Sequence, residues 1–112
     1  MISHYSFGNI TVDGKEYTHD VIISGRTVKD WWRNTSHEVG INDVDPILEE
    51  KPKLIIFGTG ASGVCRVFPE TIEHLKTQGI KVLVFETPAA VKEFNRLSAQ
   101  GGVVGIPVEV SL

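Results

Sequence analysis

Leu54-Ile55-Ile56-Phe57-Gly58-Thr59-Gly60-Ala61-Ser62-Gly63 is the stretch on which the reading of this chain turns. Four apolar residues in succession, two of them β-branched, read as a buried strand, and the glycines break it into a tight turn. Gly58, Gly60 and Gly63 stand at the G-x-G-x-x-G spacing that brings backbone close to a pyrophosphate in dinucleotide-binding folds. In those folds a helix opens at the third glycine, and its free N–H groups and dipole hold the phosphate. Here Val64-Cys65-Arg66-Val67-Phe68 follow, β-branched or bulky and closed by Pro69, so residues 64–68 read as a second short strand. The glycines then serve the turn first, and an anion site at 58–63 lacks its usual helix.

Composition sets the limits around this strand. The 112 residues, with 41% hydrophobic and 22% charged content, suit one globular domain spanning 1–112. A net charge of −3, with 11 Lys and Arg that form no run, argues against nucleic-acid binding. No apolar run reaches the ~18 residues of a membrane span, and Met1-Ile2-Ser3-His4 does not read as a signal peptide. The single cysteine excludes an internal disulfide and suits a reducing compartment, so a cytoplasmic protein with no membrane contact is expected. Asn34-Thr35-Ser36 then matches a glycosylation sequon by chance.

Outward from the glycine turn, the pattern alternates strands and helices. The first 24 residues read as a hairpin: Ser6 to Val12, a turn at Asp13-Gly14, and a return strand through Tyr17 to Val21-Ile22-Ile23. Residues 26–42 are irregular. A short helix is predicted over 43–51, with Asp43 as N-cap, Pro46 in the first turn, and Val44, Ile47 and Leu48 on one face. After strand Lys53–Phe57, the glycine turn and the strand at 64–68, a helix runs from Pro69 to Gln78 with Gly79 as its C′ residue. Ile80 to Phe85 is an apolar run expected of a strand covered on both faces. Thr87 reads as the N-cap of a last helix that Gly101-Gly102 ends, and Val103 to Val110 as a final strand that Pro107 places at an edge or bulge. Strand, helix, strand, helix, strand predicts a parallel core, to which the hairpin adds antiparallel strands: a three-layer α/β domain with flanking helices.

Few residues here combine into chemistry. Glu86 closes a core strand near where an acid binds a ribose hydroxyl in Rossmann folds, but the intervening strand and the short remainder of the chain exclude a Rossmann enzyme. Trp31-Trp32-Arg33 with His37-Glu38 is the second cluster. Adjacent tryptophans outside regular structure anchor ligands or partners, or simply roof a sheet, and Arg33 suits a carboxylate or phosphate clamp. His37 beside Glu38 has the residue types of a base and its neighbour, yet loop neighbours commonly point apart. His4, His19 and His74 are scattered and there is one cysteine, so neither a metal nor a cofactor is expected. Cys65 sits in an apolar context where thiols are inert, and Ser62 lacks a nucleophile elbow because Val64 stands where its second glycine belongs. No catalytic set is complete.

Val28-Lys29-Asp30-Trp31-Trp32-Arg33, Leu54 to Gly60, Leu75 with Gly79-Ile80 and Val82, and Thr87 with Ala90-Val91 and Phe94-Asn95 together carry a resemblance over nearly the whole chain. It resembles a family of small uncharacterised domains that includes microbial hypothetical proteins, the adipogenesis-associated domain protein and the mitochondrial complex I assembly factor three. The chain looks like a microbial member. The resemblance implies a three-layer α/β fold around a mixed five-stranded central sheet to which the N-terminal β-hairpin contributes, and no established enzymatic activity. It also matches the family's tryptophan-arginine segment to Trp32-Arg33 and its strand-end Gly-x-Gly to Gly58-Thr59-Gly60.

Two functions follow as expectations. The first is a non-enzymatic binding or assembly domain acting through a protein partner or self-association, with the tryptophan-bearing loop as contact surface. The alternative is a protein binding a small anionic ligand, with or without catalysis, in which Gly58, Thr59, Gly60 and Ser62 form one wall and Arg33 and His37 close over the ligand.

Overall fold

The computed structural model describes residues 2–24, 27–31, 38–49, 51–63, 65–99 and 104–108, with 98, 99 and 104–108 described by backbone alone. In chain order the elements are β1 (Ile2–Ser6), β2 (Asn9–Val12), β3 (Lys15–Tyr17), β4 (Val21–Ser24), β5 (Thr27–Asp30) and β6 (Glu38–Val39). A 3₁₀ turn (Ile41–Val44) runs into α1 (Asp45–Leu48), followed by β7 (Leu54–Gly58), β8 (Arg66–Val67), α2 (Pro69–Thr77), β9 (Lys81–Phe85), α3 (Thr87–Ala99) and β10 (Val104–Val108).

The expected mixed five-stranded sheet is present, in the order β5-β4-β10-β7-β9. β10, β7 and β9 run parallel, β4 pairs antiparallel with β10, and β5 pairs antiparallel with β4. Period-two alternation sorts each central strand between two cores. Val21 and Ile23 of β4 and Ile56 of β7 pack with Ala90 and Phe94 of α3 and with Ile2, Ile10 and Val12. Ile22, Ile55 and Phe57 face the other way, onto Trp31, Val39, Val44, Ile47, Leu75 and Ile80. β7 is therefore buried on both faces, as its unbroken apolar run requires, and each such side chain contributes about 1.5–3 kcal/mol of burial.

Several expectations are corrected. Asp13 and Gly14 do form a tight turn, both at positive φ (49° and 85°). It joins β2 to β3 in a separate β1-β2-β3 sheet, however, and the hairpin that widens the central sheet is β4–β5. The sequence signal fixed the turn, but a turn does not specify which sheet its strands join. β9, read as covered on both faces, is the sheet's outer strand, with Lys81 and Val84 exposed. β10, for which Pro107 suggested an edge or a bulge, is central. Its parallel partners on β7 meet Val104, Gly105 and Val108 and pass over Ile106 and Pro107, so the ladder is interrupted where proline has no N–H to give.

The helix ends show local chemistry at work. Asp43 caps from inside the turn: its carboxylate accepts the Gly40 N–H at 2.8 Å, and α1 is only Asp45–Leu48. At the end of α2 the Gly79 N–H bonds the Lys76 carbonyl (3.0 Å) and the Ile80 N–H the Leu75 carbonyl (3.3 Å), a Schellman closure around the glycine that the sequence marked. α3 begins one residue earlier than read. The Glu86 carbonyl takes the first helical bond from Ala90 at 2.9 Å, which frees the Thr87 hydroxyl for another partner.

Candidate functional site at the end of β7

β7 ends at Gly58, which is paired with Phe85 of β9 on one side and Val108 of β10 on the other. The glycine turn thus leaves the middle of the sheet at the carboxyl edge of three parallel strands, and α3 starts at the same edge. The two are joined by a dense hydrogen-bond set. The Thr59 amide and hydroxyl both donate to the Phe85 carbonyl at 3.0 Å. The Gly60 N–H donates to Thr87 Oγ1 at 2.8 Å, and the Thr87 N–H donates back to the Gly60 carbonyl at 2.9 Å. The Cys65 N–H returns to the Thr59 carbonyl at 3.0 Å as the chain heads for β8.

Glycine is required at two of these positions for different reasons. Gly60 holds φ 102°, a conformation that costs other residues steric strain. Gly58 has no unusual φ, but a Cβ there would stand 3.0 Å from Thr87 Oγ1, so the helix packs against bare backbone. Gly58, Thr59 and Gly60 are buried, while Ser62 is exposed at the far side of the turn. Glu86 does not stand off for a ribose; its side chain lies against Gly63, 3.0 Å from where a Cβ would sit.

Tyr5 approaches this corner from β1. Burial pushes its phenol above the ordinary pKa, the Thr87 hydroxyl pulls it back in part, and the Asp20 carboxylate adds to the rise. The hydroxyl is enclosed and, among the described residues, no partner meets it in hydrogen-bond geometry.

Of the second cluster, Trp31 is a core residue at 3% exposure. Its indole N–H donates to the Asp43 carbonyl at 2.9 Å, and its ring lies 6.5 Å from that of Phe57, the residue before Gly58. Trp31 therefore meets the glycine corner from beneath the sheet. Glu38 lies on β6 opposite Arg66 of β8, at the rim of a shallow groove of about 260 Å³ that Ile41, Asp43, Phe68 and Glu70 also line. Trp32, Arg33 and His37 lie outside the described residues. Gly58, Thr59, Gly60 and Ser62 are thus one unit, Trp31 touches it through Phe57, and Glu38 joins it only by way of β8. Thr87 and Tyr5 were missed as site residues. A Thr-Pro pair at a helix start signals a cap, and nothing local says that the hydroxyl serves a turn elsewhere in the chain.

Fold and corner together define a class: three-layer α/β domains whose strand-end glycine turn is clamped onto the helix that follows the neighbouring strand, here α3 after β9, and continues into a short strand. The chain belongs to the family described as protein of unknown function (DUF498/DUF598), whose model matches residues 2–107. It is 26% identical over 106 residues to the Mus musculus protein NADH dehydrogenase (ubiquinone) 1 alpha subcomplex assembly factor 3, a match covering 93% of this chain and 57% of that one. The chain therefore spans little more than half the length of that relative. Among solved structures it is similar to MT938 (26% identity, TM-score 0.84, 100% of this chain and 98% of that one). It also shares its fold with the conserved hypothetical protein PH1505 from Pyrococcus horikoshii OT3 (23% identity, TM-score 0.88, 100% and 99%). Among the described residues no helix is long and apolar enough to cross a membrane.

Proposed function

We propose that this chain is a non-enzymatic binding or assembly domain that works through a protein partner or by self-association. The observation that carries the reading is the match along 93% of its length to a protein named as an assembly factor. The corner at the end of β7 supports it, because the polar groups of Thr59, Gly60 and Thr87 engage one another and make a rigid support. The contact surface is the segment carrying Trp32, Arg33 and His37, with Trp31 and Glu38 at its two ends. The test is co-purification of partners with the wild-type chain and with Trp32→Ala, matched for folding by circular dichroism. The variant should lose association while keeping its melting temperature, and an unchanged complex would count against this surface.

A second reading is favoured by one feature: the glycine turn opens at the carboxyl ends of parallel strands, where open α/β sheets hold ligands, and Ser62 is exposed there. In that reading a small anion sits between the 58–63 turn and Arg33, with His37 closing over it. A ligand at a hundred times its Kd adds ~2.7 kcal/mol, so a thermal-shift screen of nucleotides, phosphorylated metabolites and carboxylates reads it directly. A shift abolished by Arg33→Ala supports this reading, and a flat screen leaves the partner reading alone.

A further inference from the structure

β1 is the outer strand of the β1-β2-β3 sheet: β2 pairs with one side of it, and α3 packs along the other. Between strand and helix runs an open groove of about 570 Å³, lined by His4, Tyr5 and Ser6 from the strand and by Val91, Lys92 and Asn95 from the helix. One end of the groove is held by Asn95. Its Oδ1 accepts the Ile2 N–H at 2.9 Å, and its Nδ2 donates to the Ile2 carbonyl at 2.7 Å. A carboxamide that gives and takes one bond with a single residue's main chain reproduces what the peptide group of a neighbouring strand would do.

Asn95 therefore occupies one rung of an absent strand, and it shows that the main-chain groups of Ile2 face the groove. Pairing side alternates along a strand, and the register with β2 shifts between Ile2 and His4. The next residue to present N–H and C=O to the groove is then Tyr5, since Ser6 closes the turn opposite Asn9. Among the described residues that line the groove, Lys92 is the one that carries a formal charge. His4 and Lys92 are exposed along it, and no Asp or Glu is among the described residues that line it.

We infer that the β1–α3 groove takes up an extended peptide segment of a protein partner as an added β-strand, pairing with the Tyr5 main chain while Lys92 and His4 receive an acidic side chain of that segment. Main-chain pairing supplies the affinity in this mode, and side-chain contacts set the choice of sequence. The inference rests on the reading of the chain as a protein-binding domain, but assigns the contact to residues other than Trp32, Arg33 and His37.

Random heptapeptides displayed on phage, selected against the whole chain, provide the probe; enriched sequences are synthesised and titrated while backbone amide shifts are followed. The expected result is enrichment of β-prone sequences containing Asp or Glu, with shifts concentrated at 3–6 and 91–95. His4→Glu combined with Lys92→Glu, both at exposed positions, should weaken those peptides about tenfold and turn selection toward Lys-bearing sequences. Shifts centred on 40–43 or on the 58–63 turn, or affinity untouched by the double variant, overturn the groove and leave the protein-binding reading standing. No enrichment at all also overturns it, and the Trp32→Ala comparison then decides the broader reading by itself.

Discussion

The Gly60 amide donates to the Thr87 hydroxyl at 2.8 Å while the Thr87 amide donates to the Gly60 carbonyl at 2.9 Å. This reciprocal pair ties the exit of the central strand β7 to the first turn of α3. Removing the hydroxyl leaves a buried N–H without its acceptor, which costs about 1–3 kcal/mol. Thr87→Val should lose that much in urea unfolding, whereas Thr87→Ser, which keeps the oxygen, should lose less than about 1 kcal/mol. Equal losses for the two would show that the methyl packing, not the hydrogen bond, matters.

Gly58→Ala tests the same contact from the strand side. The new methyl carbon would meet Thr87 Oγ1 at 3.0 Å, and overpacking of this kind costs about 1–3 kcal/mol. In a Thr87→Ala background the obstructing atom is gone, so the cost should shrink by at least about 0.5 kcal/mol. An additive double-mutant cycle would place the strain elsewhere.

Trp31 predicts a structural effect. Its ring is buried against Phe57, so Trp31→Ala should cost about 3–5 kcal/mol, and Trp31→Phe about 1–2 kcal/mol through smaller volume and the lost bond to the Asp43 carbonyl. Chemical denaturation separates the two. A loss below about 1 kcal/mol for Trp31→Ala would mean that the ring is not a core element.

The Tyr5 phenol sets an alkaline limit. Its folded pKa is raised above the ordinary value of 10.0, so the native state holds the proton more tightly than the unfolded chain does. The stabilisation is complete below that ordinary value and is lost as pH rises through the folded pKa. Stability should therefore fall on the alkaline side of about 10, and Tyr5→Phe should flatten that part of the profile. Tyrosinate absorbance titrated in native and denatured protein checks the order of the two pKa values; a native value below the denatured one would reverse the sign.

Much of the fold was legible because its signals act over a few residues. Gly79 after α2, Pro69 and Pro88 at helix starts, the Asp13-Gly14 turn and the apolar run at 54–57 each describe their own surroundings. The family resemblance adds the number of strands. The candidate site was half legible: the glycine spacing located the corner and the residues after Gly63 removed the phosphate helix, but Thr87 gave no sign of the partner it would take.

The sequence by itself determined the strand at 54–57, the Asp13-Gly14 turn and the glycine end of α2, since steric preference and capping are settled by neighbours in the chain. By contrast, β5 and β6 form within 26–42, which reads as irregular. Tertiary structure decided the rest: that apolar β9 lies outermost while proline-bearing β10 lies near the middle, that Trp31 belongs to a core, and that Asn95 reaches Ile2. The reason is physical. The Gly60–Thr87 bond joins residues 27 apart and the Asn95–Ile2 pair residues 93 apart. Contacts at such separations exist only once the sheet order has brought them together, and no local preference encodes that order.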